Sequence, residues 1–257
     1  MKTLTTVLAL SLSCAAPALA QQPPIQQGEW RVTLGAAAVV GPQYLGDTSA
    51  RILPIPYIDV QYGPNYFLNV PRGLGAYLAT FGDGDSQLRW GVSLTPNFNG
   101  RESDDIPGLP SVGIAIEAQS FLEYSYKNWS LGLTVAQDLG TGHEGFFADV
   151  SAGYGSRLGD RGFGRIGLTA RYADSVYMES FYEVTPTQAA ISDLNAFDIN
   201  SGFESVAVNG LYTYQISDHW QFALVPEVRL AIGDVRTSPI TEDNFGYQVV
   251  SVIGYQF

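Results

Sequence analysis

"QLRWGVSLTPNF", residues 87–98, alternates without a fault: Leu88, Trp90, Val92, Leu94, Pro96 and Phe98 against Gln87, Arg89, Gly91, Ser93, Thr95 and Asn97. Successive side chains of an extended strand point to opposite faces, so this stretch forms a strand with one apolar and one polar face. Length then separates two kinds of β protein. Strands of soluble sandwiches average about five or six residues, whereas a tilted strand needs about 9 to 11 to cross a bilayer. The stretch is long enough to cross. The same dyad pattern returns in Ile166, Leu168, Ala170 and Tyr172 against Arg165, Gly167, Thr169 and Arg171, and in Trp220, Phe222, Leu224, Pro226, Val228 and Leu230 against Gln221, Ala223, Glu227 and Arg229. Trp30, Tyr62, Phe98, Tyr124, Trp129, Tyr214, Trp220 and Tyr255 fall at strand ends, as interfacial girdles do. The expected fold is all-β: an antiparallel transmembrane β-barrel.

Connections test that expectation, because outer-membrane barrels put short turns in the periplasm and longer loops outside. Short links read as "GPN" (63–65), "GDGDS" (82–86), "KN" (127–128), "LGDRG" (158–162) and "SD" (217–218). Long ones read as "GPQYLGDTS", "GRESDDIPGLP", "LGTGHEGF", the stretch from Ala173 to about Asn200, and "GDVRTSPITEDNFG". The two kinds alternate if "NYFLNV" and "GLGAYLATF" are separate strands that turn at Pro71-Arg72-Gly73; the count is then about twelve strands, an even number, with both termini periplasmic.

Both ends of the chain fit an envelope protein. "MKTLTTVLALSLSCAAPALA" (1–20) has a basic start at Lys2, an apolar stretch and Ala18-Leu19-Ala20 as a small-x-small cleavage site, the pattern of a secretory signal. Cleavage leaves a single domain, 21–257, without the sole cysteine, Cys14, and therefore without disulfides or thiol chemistry. At the other end, "YQVVSVIGYQF" (247–257) places Phe257, Tyr255 and Ile253 on one face of a last strand, which must pair with a first strand at about Glu29 to Val40 to close the sheet. A C-terminal aromatic after alternating apolar residues resembles the signal read by the barrel assembly machinery, so Phe257, Tyr255 and Ile253 are expected to act as an assembly address. The net charge of −12 argues against a nucleic-acid partner.

Six blocks, in order, resemble those of the MipA/OmpV family of outer-membrane proteins: "GAAAVVGPQYLGDTSARILPIPYIDVQYG" (35–63), "RGLGA" (72–76), "GRESDD" (100–105), "GHEG" (142–145), "YMESFYEVTPTQAA" (177–190) and "SPITEDN" (238–244). Glu183 stands where the family more often has Gly, and Glu144 lies in a usually Gly-richer loop. The resemblance implies a bacterial outer-membrane location, in contact with outer-membrane lipid. It also implies an envelope scaffold that bridges a lytic transglycosylase and a murein synthase. Adhesion and osmotic response are the family's other associations.

Enzymatic chemistry finds little purchase. A serine nucleophile needs a base within hydrogen-bond reach, and only His143 and His219 are available. His219 sits in "SDHW", a periplasmic turn; His143 sits in an outer loop beside Glu144, with Thr141 as the nearest hydroxyl. Histidines on opposite rims cannot share a metal, and Glu102, Asp104 and Asp105 read as a solvated loop before a calcium site. No cofactor is implied. "NWS" (128–130) matches a glycosylation acceptor by chance.

Parity turns Arg89, Glu117, Glu123, Arg165, Arg171, Glu227 and Arg229 toward the lumen. Paired, they form a closing network; hydrated, they line a narrow pore for small solutes. Loss of a network member such as Arg229 costs about 3 to 5 kcal/mol if its partner stays buried. In a pore the same loss is nearly neutral for stability and shifts selectivity toward cations.

Overall fold

Residues 25–42, 50–98, 100–103, 105–140 and 142–257 are described by a computed structural model. The leader read at residues 1–20, Cys14, Asp104 and Thr141 lie outside these residues. Strands β1 (Trp30–Gly41), β2 (Arg51–Tyr62), β3 (Tyr66–Asn69), β4 (Gly73–Asp83), β5 (Ser86–Asn97) and β6 (Ala115–Tyr126) form the first half of the sheet. They are followed by β7 (Trp129–Asp138), β8 (Phe146–Leu158), β9 (Gly162–Ala173), β10 (Gly202–Gln215), β11 (Trp220–Ala231) and β12 (Phe245–Gln256). Each strand pairs antiparallel with its chain neighbours. β12 pairs with β1 from Thr33↔Gln256 to Val40↔Val249, so the sheet is a closed barrel. Pairing of the last strand with the first removes the two free ends that an open sheet would expose to the hydrocarbon of a membrane.

The alternation that fixes the strands also fixes the barrel's two surfaces. Leu74, Leu94, Leu131, Val150, Ile166, Leu168 and Val208 are exposed on the outer surface, an apolar belt that only lipid can cover. Trp30 packs on Tyr62, Trp129 on Tyr154 and Trp220 on Tyr255 at the short-turn end, and Tyr172 on Phe203 at the long-loop end. Two aromatic girdles thus bound the belt, and the barrel is of the outer-membrane type. Among the described residues no helix is long and apolar enough to cross a membrane; the strands do the crossing.

The division at Pro71-Arg72-Gly73 holds: β3 and β4 are separate strands, paired from Asn69↔Gly73 to Tyr66↔Ala76. β3 has only 4 residues, far fewer than a crossing requires, so this hairpin stops partway up the wall. The long connection after Ala173 is not a plain loop. It contains α1 (Ser175–Tyr182) and α2 (Pro186–Ala189), and the β11–β12 connection contains a 3-10 turn at Gly233–Thr237. Asp174 caps α1, its carboxylate accepting from the Tyr177 N–H, and Tyr177, Met178, Phe181 and Tyr182 form the buried face at helical spacing. That face packs with Val112, Ala136, Phe147, Ala173, Ala231 and Val235, seating α1 against the loop-side ends of the strands.

Candidate functional site

The charged side chains inside the barrel gather in groups, the largest of them beneath α1. Arg171 of β9 faces Asp149 of β8, its register partner. Its Nε and Nη2 donate to both carboxylate oxygens at 2.8 and 2.7 Å, the fork geometry that only a guanidinium offers. Glu204 lies 3.8 Å from the same Nε and 4.0 Å from Arg229, whose own closer partner is Glu227 at 2.8 Å. Three hydroxyls complete the Glu204 shell: Tyr182 donates at 2.8 Å, Tyr177 at 3.1 Å and Ser205 at 3.1 Å. Burial, and next the Glu204 charge, push the phenols of Tyr177 and Tyr182 up, so both remain neutral donors. The plug helix and three wall strands share one buried carboxylate.

A second group lies between the plug and β5 to β7. Glu117 accepts from Asn97 and Gln119 and meets the His143 Nε2 at 3.3 Å. His143 Nδ1 accepts the Gly145 N–H at 3.1 Å. A ring that accepts at Nδ1 carries its proton at Nε2 and so donates to Glu117. Asp138 gathers the backbone N–H groups of Gly140, Gly142 and Glu144. This holds Glu144 at φ 59°, a conformation that favours glycine. His143 is buried against Tyr177, ring centroids 4.7 Å apart, and is not the exposed loop residue its sequence context suggests. Ser180 is the nearby hydroxyl, yet it donates to the His143 and Val176 carbonyls, not to the imidazole. Among the described residues, the His143 ring nitrogens meet Glu117 and the Gly145 N–H and no hydroxyl.

The third group sits lower. Arg72 pairs with Glu123 and lies over the Phe121 ring, Tyr77 donates to Glu123 at 3.1 Å, and Arg89 lies over Tyr77. Arg165 stands between groups, donating to Ser130 at 3.2 and 3.3 Å. A Cβ on Gly153 would collide with its guanidinium, so that glycine makes room for the arginine. All seven residues that parity turned inward are buried or half-buried within these surroundings. Arg229 is 17 % exposed, against 4 % for Arg171, and its nearest carboxylate is on its own strand. Arg171, not Arg229, is therefore the network's costly member.

Sequence reasoning missed Asp149, Glu204, Arg72 and Arg101. Asp149 was within reach of parity, since Phe147, Asp149 and Ser151 alternate with Ala148, Val150 and Ala152. Glu204 was not: the register slips between Phe203 and Ser205, turning both Glu204 and Ser205 inward. Arg101 donates to the Phe181, Ser180 and Pro110 carbonyls, satisfying the C-terminal end of α1 with a cation. Four separated sequence blocks thus converge on one helix: Arg101 of 100–105, His143 of 142–145, the 177–190 block itself, and Ser238 of 238–244, which donates to the Tyr182 carbonyl.

Of the remaining readings, Asp105 binds Arg51 at 3.4 Å and the Glu102 N–H at 2.8 Å. Among the described residues no group of three or more metal-binding side chains occurs. His219 stacks on Tyr255 at the short-turn rim, and the Phe257 ring meets Tyr255 edge-on with centroids 5.0 Å apart. Ile253 faces outward, 46 % exposed.

The family model described as MltA-interacting protein MipA matches residues 34–257. A search of curated proteins gave no significant match. Among solved structures, the chain is similar to the CymD monoaromatic hydrocarbon channel, with a TM-score of 0.42 and 10% identity over 96% of this chain and 93% of that one. It is also similar to Salmonella typhi OmpF in complex with daunomycin, with a TM-score of 0.41 and 8% identity over 89% and 97%. For OmpT of Vibrio cholerae the values are 0.34 and 9% over 91% and 100%.

Proposed function

We propose that this chain, which belongs to the MltA-interacting protein MipA family, is a scaffold barrel of the outer membrane that holds a lytic transglycosylase and a murein synthase together, and not an enzyme or an open channel. The observation that carries the reading is α1, seated in the loop-side mouth and tied to the wall through Glu204. A barrel whose interior is spent on holding a plug is suited to present surfaces, since a conducting pore needs its polar groups hydrated. The surfaces left for periplasmic enzymes are the turns at 63–65, 84–85, 127–128, 159–161 and 216–219 and the girdled rim beside them.

The test is crosslinking in intact envelopes followed by purification of the barrel, together with reconstitution in planar bilayers. Recovery of a murein hydrolase or synthase, with no steady conductance, is expected. Steady single-channel currents whose ion selectivity follows the charge at position 229, with no murein enzyme recovered, would replace the scaffold with a narrow channel.

Phe257 has a separate role in this reading, as part of the address recognised by the assembly machinery. In the folded barrel it contributes one ring contact and one backbone hydrogen bond, to the Val32 carbonyl at 3.0 Å, about 1 to 2 kcal/mol in all. Phe257→Asp is therefore expected to refold in detergent like the parent but to insert poorly in cells. Unchanged outer-membrane levels would remove the assignment.

A further inference from the structure

The wall of the barrel is incomplete on its loop side. β2 pairs with β1 along its whole length, Arg51 to Tyr62, but with β3 only from Asp59 to Tyr62. β5 pairs with β6 up to Asn97 but with β4 only up to Leu94. The β3–β4 hairpin turns at Val70 to Arg72, so above it, among the described residues, no strand lies between β2 and β5. Thr95 donates to the Arg72 carbonyl at the base of the gap, and the Arg51–Asp105 pair ties β2 to the β5–β6 loop above it. The result is a window framed on four sides.

Three prolines show that the sequence is adapted to this opening. A strand residue's N–H and C=O point to the same edge, and alternate residues share an edge. The Ile58 carbonyl accepts from Val70 at 3.3 Å, so even-numbered positions of β2 face the gap. The Asp85 carbonyl, just before β5, accepts from Lys127, just past β6, so even-numbered positions of β5 face β4 and, above it, the gap. Pro54, Pro56 and Pro96 are all even-numbered positions beside the window. Each lacks the N–H that would otherwise be unsatisfied in hydrocarbon. The remaining strand proline, Pro226, follows the same rule, lying where the β10–β11 ladder is interrupted between Asn209↔Glu227 and Tyr212↔Leu224. Among the described residues, no backbone hydrogen bond reaches the gap side of β2 above Ile58.

What lies inside the window differs from the rest of the lumen. Val39 and Val250 are buried, and Leu53, Ile55 and Val225 pack on them while remaining half-buried although they face inward. This apolar side is opposite in character to the charged wall of β5 to β10. Outside, Ile52, Ile58 and Leu94 flank the window at 73 %, 38 % and 49 % exposure. The apolar inner side is thus continuous, through the window, with the lipid-facing belt. An opening level with the lipid-facing belt meets acyl chains and little else, and the prolines reduce the number of N–H groups that such a guest would leave unpaired.

We propose that the window between β2 and β5 admits an acyl chain of a membrane lipid from the outer leaflet and lays it against the apolar inner side formed by Val39, Leu53, Ile55 and Val225. This binding is independent of whether the periplasmic turns hold murein enzymes.

The test uses the full barrel reconstituted in phosphatidylglycerol and phosphatidylcholine vesicles containing a phospholipid with a photoactivatable diazirine midway along one chain. After irradiation, adducts are mapped by peptide mass spectrometry. Adducts on inward-facing Leu53, Ile55 or Val225 are expected beside those on outward-facing Leu131 and Ile166. Ile55→Lys should lower the inward adducts about tenfold or more, because a chain would have to displace a hydrated ammonium, and should leave the outward ones unchanged. A second variant, Val225→Trp, fills the same side without charge and should do likewise. Labelling confined to outward-facing residues in the parent barrel would overturn the proposal, as would inward adducts that persist in both variants.

Discussion

Replacing Arg171 with leucine should destabilise the barrel by about 3 to 5 kcal/mol, because a buried ion pair is broken from one side only. Arg171 and Asp149 are each 4 % exposed, so the carboxylate left behind cannot recover its loss from water. Glu204 loses the nearer of its two cations as well, and Phe147 loses the guanidinium over its ring at 4.0 Å. The shift of the unboiled gel band with temperature, and a denaturant titration of refolded protein in detergent, would measure the change. The double variant Arg171→Leu with Asp149→Leu separates charge from packing. Removing both partners of a buried pair is often near neutral, so the double variant should recover much of the loss, and the coupling would appear as non-additivity. A single variant within about 0.5 kcal/mol of the parent would mean that water reaches the pair and that the interior is an open pore.

The barrel itself was legible because its signal is the simplest one a chain can carry. In 87–97 every even position faces lipid and every odd one the lumen, and such segments, with short and long links alternating everywhere but at the brief β3–β4 hairpin, leave one arrangement. The same parity placed Arg89, Glu117, Arg165 and Arg171 inward without knowledge of what they meet. It failed where the backbone departs from period two. Glu204 sits at a register slip, and strict alternation cannot place the residue on which the network turns. Arg72 sits in a turn, where parity says nothing. Helix α1 was hidden by length: 8 residues amid a long loop are below what propensity alone supports. Yet Asp174 as a cap, and Tyr177, Met178, Phe181 and Tyr182 at helical spacing, were the marks of it. The prolines of β2 and β5 were visible throughout, but their meaning depends on which edge lacks a neighbour, and that is a property of the register.

Substituting Gly145 with valine is the change expected to unseat the plug while leaving the barrel closed. A Cβ at this position would collide with the backbone nitrogen of Tyr177, at the first turn of α1, and would lie 2.6 Å from its Cα and 2.7 Å from the capping Asp174 carboxylate. The loop cannot retreat. The Gly145 N–H donates to His143 and its carbonyl accepts the Asp138 N–H at 3.1 Å, fixing it to β7. Nor can α1 shift by a fraction of an ångström without loosening the Tyr177 and Tyr182 bonds to Glu204 and the Arg101 bonds to Phe181 and Ser180. Overpacking of this kind costs about 1 to 3 kcal/mol, comparable with the few contacts that seat so short a helix. Backbone amides of 177–182 should then exchange with solvent about tenfold faster or more, and a protease added from the loop side should cut there. The strand amides and the gel shift of the closed barrel should be unchanged, because the twelve-strand seam does not pass through α1. Equal exchange in parent and variant, with the barrel folded in both, would mean that α1 rests on the mouth without being held by it. The scaffold reading would then lose the plug on which it stands.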